Sequence, residues 1–283
     1  MKLKPAAGLG GVVLLAFFAG SVAAKDLPVT PTIRQAGVLA ISGNLAYAPF
    51  GYLDASGKPA GLDVDLANAA SDALGVKLDI IPIPFANMIP SLVSGRTSVA
   101  WTTFSVTPER LKQVEFVTYL SASTVFVTTA EKAPQFPSKE SLCGSRIAVQ
   151  TGSLANDVIE RLSDECRKEG KHEIRKAIYP EQKDTIQAVL TGRVDGRFDD
   201  STAAAYLETQ TKGRLKVTPG AYFPTPIGIA VRKGDTVTAE MMRATFQRLI
   251  DNGTYGTILK KYNMSGSAII KSQIISNDAQ IQQ

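Results

Sequence analysis

The chain has 283 residues, 44% of them hydrophobic and 20% charged, with a formal net charge of +5. That length suits two lobes with sizeable cores, and the mixed charges show no basic stripe interleaved with aromatics, which argues against a nucleic-acid partner. Two cysteines and one histidine are too few soft ligands for a zinc site.

Residues 1–24 read as a secretory signal. Lys2 and Lys4 form a positive start, "GVVLLAFF" is a short apolar run, and "SVAA" supplies the cut after Ala24. The run is too short for a membrane span, and no cysteine near the cut offers a lipid anchor. Its removal leaves 259 residues and a charge of +3, because it carries two lysines and no acid. The mature chain is expected to be a soluble periplasmic monomer. In an exported protein, Cys143 and Cys166 are expected to form a structural disulfide.

Strand and helix signals then alternate, the pattern of an α/β protein with largely parallel sheets. "VLAISGN" (38–44) predicts a strand, "YLDASGKPAG" a turn, and "LDVDLANAASDAL" an amphipathic helix that Asp63 can cap. "KLDIIPI" is a strand, "FANMIPSLVSG" a helix, "TSVAWTTF" a strand and "PERLKQV" a helix. "VEFVTYLSASTVFVTT" (114–129) is a long extended stretch. A second series runs "SRIAVQ", "LANDVIERLSDEC", "EIRKAIY", "QKDTIQAVLTG", "RVDGRFDD" and "STAAAYLET", strand and helix in turn. "PTPIGIAVRKGD" (224–235) is extended again, two helices follow, and the tail from Ser265 to Gln283, poor in periodicity, is placed over the surface. The two long extended stretches bracket a central block. The expected plan is therefore a lobe built from residues 25–123 and 224–283, with a second lobe, 124–223, inserted through two crossing strands.

"SVTPERLKQVEF" (105–116) poses a question of charge. With Thr107 as N-cap and Pro108 at the first helical position, Arg110 falls at the third, where a capping box would carry Glu or Gln. A cation there opposes the helix dipole by roughly 0.3–1 kcal/mol. Either Arg110 pairs with Glu109 or Glu115 on a solvated face, or it serves an external anion.

The segments "AYAPFGYLDASGKPAGLDVDLANA", "MIPSLVSGR", "TFSVTPERLKQVEFVTY", "VQTGS", "AVLTGRVDGRFDDSTAAAY" and "IGIAVRKGD" resemble, in order and spacing, the periplasmic amino-acid-binding proteins that feed ABC importers. The cysteines of "SLCGSRIAVQ" and "DECRKEGK" resemble a branch of that family. The resemblance implies a two-lobe clamshell of mostly parallel sheets flanked by helices, which closes on one small ligand and hands it to importer membrane subunits. No cofactor is implied. In the family, the arginine matched by Arg110 holds the ligand's α-carboxylate as a bidentate fork, with Ser105 and the Thr103 carbonyl beside it. Ser153 and the Leu154 amide form the opposite jaw at a helix start. Asp200 matches the aspartate that takes the ammonium, although it could also cap the following helix.

Tyr47 and Phe85 match positions that lay flat faces on the ligand side chain. Relatives that take cationic amino acids carry an acid where this chain has Asn44 and a second at Asp63; with Gln150 and Leu154 opposite, a neutral polar or modestly apolar ligand is expected. Arg197 replaces a residue usually small in this strand and is expected to point outward, as a surface arginine. Turned inward, it would favour a carboxylate-bearing side chain. Two other functions remain open on the same fold. One is an exported dehydratase-type enzyme, for which the chain shows no catalytic motif and only the isolated His172. The other is a sensing module that reports to a membrane receptor.

Overall fold

The computed structural model describes residues 27–281; the signal reading of residues 1–24 lies outside them. Its main sheet has ten strands, numbered here in chain order. They are β1 (Val38–Gly43), β2 (Lys77–Pro82), β3 (Val99–Ser105), β4 (Val114–Thr129), β5 (Arg146–Gln150), β6 (Arg175–Tyr179), β7 (Gly196–Asp200), β8 (Leu215–Val217), β9 (Tyr222–Arg232) and β10 (Ile274–Ile275). The order across the sheet is β2-β1-β3-β9-β4-β7-β5-β6, with β8 and β10 also on β4. Strands β2, β1 and β3 run parallel, as do β7, β5 and β6. Between these two parallel sets lie the antiparallel strands β4 and β9.

Those two strands are the crossing segments, and their pairing is interrupted midway. β4 is buried along both halves but opens at Ser121–Ser123. Opposite that opening, Thr225 and Pro226 of β9 pair with Ala122 and Ser121, and the register shifts on either side. Pro224 and Pro226 cannot donate to a ladder, so the ribbon is weakest where small polar residues face prolines. The first half of β4 pairs with β10, and the second half with β7 and β8.

The core splits at the same place. One set of buried side chains unites Leu39, Leu66, Trp101, Tyr119 and Phe246 with residues of both chain ends, with a neighbouring set around Phe104 and Phe116. The Trp101 and Phe246 rings lie 5.2 Å apart, and Tyr119 stacks on Phe246 at 5.4 Å. A fully buried Phe of this kind contributes roughly 1.5–3 kcal/mol. The other sets are drawn from the inserted block: Phe126, Ile147, Leu162 and Phe198 on one face, Val127, Ala188 and Leu215 on the other. The result is an α/β two-lobe clamshell. The Cys143–Cys166 disulfide, with Cα atoms 5.7 Å apart, ties the segment before β5 to the helix Ala155–Lys168 in the second lobe.

Two local expectations are corrected. Asp63 does not cap the helix Leu62–Leu74; Gly61 holds that position, at φ +120°. The amides of Leu62 and Asp63 are instead satisfied by the carbonyls of Pro49 and Phe50. A Cβ on Gly61 would stand 2.2 Å from the Phe50 oxygen, so only glycine allows this approach. The tail, in turn, is more than a surface strap. Ile274–Ile275 adds a strand to β4, Ile275 is buried, and the Ser272 hydroxyl donates to the Thr118 carbonyl.

Candidate functional site

The helix at Pro108–Leu111 is a single turn whose Thr107 side chain accepts from the Arg110 amide, as an N-cap should. Arg110 pairs with neither neighbouring acid. Glu109 is bonded to Lys112, and Glu115 accepts from the Gly234 amide. The guanidinium instead turns toward the space between the lobes. Its Nη1 donates to the Ser105 carbonyl at 2.7 Å and its Nη2 to the Gly152 carbonyl, across the cleft, at 2.9 Å. It lies 5.5 Å from the Phe85 ring centre and 5.4 Å from that of Phe104, a cation–π setting. Burial among these groups lowers its pKa to about 10, with Asp157 opposing the shift.

Around that guanidinium lies a cavity with about 660 Å³ of unfilled space, its open mouth included. The first lobe contributes Tyr47, Phe85, Thr103, Ser105 and Arg110. The second contributes Gln150, Ser153, Leu154 and Asp200. Leu154 starts the helix Ala155–Lys168 without a side-chain cap, and the Asn156 and Asp157 amides donate to the Ser153 and Leu154 carbonyls.

Asn44 and Asp63 are not brought to this cavity; they line a separate, smaller one with Ile41 and Trp101. Asn44 Oδ1 accepts from the Ala46 amide. Asp63, buried, accepts from the Tyr119 hydroxyl at 2.7 Å. Desolvation is the main reason its pKa rises to about 7; the Tyr119 bond opposes the rise and Asp200 adds to it.

Asp200 stands both at a helix start and on the cavity wall. Its Oδ1 accepts from the Ala203 amide as N-cap of the helix Ser201–Gln210, while the residue also lines the cavity. Across the cleft, the Tyr47 hydroxyl donates to Asp199 Oδ1 at 2.6 Å and also to Asp200 Oδ2. Burial, reinforced by the two aspartates, drives the Tyr47 pKa well above its ordinary value.

The expectation for Arg197 is overturned. It is 1% exposed, lines the cavity and is ion-paired with Asp199. The helices Ala155–Lys168, Gln182–Leu190 and Ser201–Gln210 pack against β7, and its residues from Gly196 to Asp199 are buried, so the Arg197 side chain does not reach solvent. Asp199, Gln182 and Thr185 also line the cavity and were not foreseen. The signal for the first was present: Arg197 and Asp199 are opposite charges two residues apart, on one face of a central strand. Gln182 donates to Asp199 Oδ1 at 3.2 Å. Burial pushes the Asp199 carboxyl up in pKa, against the pull of Arg197.

Similarity to known proteins runs along most of the chain. The arginine-binding protein ArgT of Corynebacterium glutamicum is 28% identical over 83% of this chain and 77% of its own length. The solved structure of an ancestral amino-acid-binding protein, a precursor of cyclohexadienyl dehydratase, is 26% identical, covers 82% of this chain and 97% of its own, and superposes with a TM-score of 0.74. An ancestral arginine-binding protein solved with glutamine bound is 30% identical, over 81% and 98% of the two chains, with a TM-score of 0.72. Residues 39–265 match the bacterial extracellular solute-binding proteins, family 3. With two lobes, two crossing strands and a polar cavity between them, the chain belongs to that family.

Proposed function

We propose that this chain captures a small L-α-amino acid between its lobes and delivers it to the membrane subunits of an ABC importer. The observation that carries this reading is the placement of Arg110 and Asp200, a cation from one lobe and an anion from the other, on one cavity. They suit the two ends of an α-amino acid. Arg110 takes the carboxylate, helped by Ser105, Thr103, Ser153 and the Leu154 amide. Asp200 takes the ammonium, and a buried ammonium needs such a partner. Tyr47 and Phe85 flank the side chain. A ligand held this way touches both lobes and so favours the closed state.

The lobes divide at residues 123/124 and 223/224, where the crossing ribbon opens. The working form is a monomer in the periplasm, released by cleavage after Ala24. Binding without turnover is favoured because the cleft carboxylates are engaged within the wall: Asp199 with Arg197, Tyr47 and Gln182, and Asp200 Oδ1 with Thr202 and Ala203, which leaves Asp200 Oδ2 for the ammonium. The test is thermal unfolding of ligand-stripped mature protein against a panel of L-amino acids and their D-forms. The reading predicts an upward shift with an L-amino acid and none with its D-form. Cooperative unfolding with no shift at millimolar concentrations would refute it.

A further inference from the structure

The second-lobe wall of the cavity holds hydrogen-bonding capacity that an α-carboxylate and an ammonium do not use. Arg197 donates through Nη1 to Asp199 Oδ2, while its Nε and Nη2 have no partner. These two nitrogens form one edge of the guanidinium, the edge that meets a carboxyl group side-on with two parallel N–H bonds. Leaving such donors unmatched in a buried setting is unfavourable. Gln150 Nε2 and Ser153 Oγ, on the same cavity, are also buried without partners.

The acceptors of the wall are already spoken for. Asp199 Oδ1 receives Tyr47, Gln182 and the Asp200 amide, and its Oδ2 receives Arg197. Asp200 Oδ1 receives Thr202 and Ala203, leaving Oδ2, on Tyr47, as the oxygen nearest to free. Asp63 lines the other cavity and is bonded to Tyr119. Among the described residues that line this cavity the carboxylates are Asp199 and Asp200, so its wall has donors to spare and no third carboxylate for a second cation.

We infer that Arg197, assisted by Gln150, is a specificity-determining subsite that binds an oxygen acceptor on the ligand's side chain, a carboxylate or a carboxamide, and excludes cationic side chains. This assignment rests on the α-amino-acid site proposed above. It departs from the arginine-binding relative: an arginine side chain would bring five N–H donors and a positive charge to a wall that offers Arg197.

Calorimetric titration of ligand-stripped mature protein with L-glutamate, L-glutamine, L-leucine and L-arginine tests it. Glutamate or glutamine should bind at least about tenfold tighter than leucine, and arginine no better than leucine. The ratio of glutamate to glutamine then tells carboxylate from carboxamide. Removing Arg197 alone would strand Asp199, so the variant to compare is the paired Arg197→Met, Asp199→Asn, which deletes both charges together. It should narrow the affinity ratios of glutamate and glutamine to leucine to within about threefold. Tightest binding of arginine by the wild type, or an unchanged preference in the paired variant, overturns the subsite. Binding of none of the four, nor of any L-amino acid in the wider panel, overturns the α-amino-acid site itself and the subsite with it.

Discussion

Asp63→Asn should change how stability depends on pH. The Asp63 carboxyl is 6% exposed and its pKa lies at about 7 instead of the ordinary 3.8. Because the folded value is the higher one, the folded protein holds a proton between those limits that the unfolded chain releases. Stability from this group is therefore present at low pH and lost as pH rises from about 4 to about 7. Each unit crossed costs at most about 1.4 kcal/mol, so from pH 5 to pH 8 the loss is about 3 kcal/mol. For a chain of this size, that corresponds to roughly 6–12 °C in Tm. Asparagine keeps an oxygen for the Tyr119 hydroxyl but does not titrate. Thermal unfolding of wild type and variant across this range should show the two curves converging toward pH 5 and the variant gaining on the wild type toward pH 8. Other titrating groups cancel in the difference. A difference that stays constant within about 0.5 kcal/mol, the usual scatter for independent sites, would refute a raised Asp63.

Further outcomes follow from the same contacts. Asp200→Asn should abolish the preference for an α-amino acid over its deaminated analogue in a competition assay; preserved discrimination would remove Asp200 from the ammonium site. Replacing Cys143 and Cys166 by serine should lower stability by about 3 kcal/mol through the loop they close, and leave ligand affinity within about threefold, because the bond lies outside the cavity lining. Gly61→Ala should destabilise by about 1–3 kcal/mol, since its Cβ would push against the Phe50 carbonyl; a neutral effect in a denaturant melt would show that the turn relaxes freely.

What the sequence made legible was whatever depends on near neighbours. The strand Val114–Thr129 has the bounds of its apolar run, and Thr107 caps the turn that carries Arg110 because capping is a three-residue affair. The cavity lining was legible where a motif fixed register, as at Ser105, Arg110, Ser153 and Asp200. Failures came where a distant segment decided. Asp63 lost its capping role because the Pro49 and Phe50 carbonyls, a dozen residues earlier, take the helix's first amides. Arg197 looked like a surface residue because charge suggests solvent, yet helices packed over its strand and Asp199 two residues on hold it inside. Ile274–Ile275 is too short to show a period, and only its partner β4 makes it a strand.

The clamp across the cleft is tested most directly by calorimetric titration of wild type and Arg110→Ala with whichever L-amino acid stabilises the wild type most. Arg110 reaches both the Ser105 carbonyl of its own lobe and the Gly152 carbonyl of the other. Its loss would leave a ligand carboxylate buried without its counter-charge, a penalty of about 3–5 kcal/mol. The predicted result is a Kd raised by two to nearly four orders of magnitude, about 10²–10³·⁷, in a variant that still unfolds cooperatively. A folded variant whose affinity falls less than about threefold would contradict the clamp and free Arg110 for some other role.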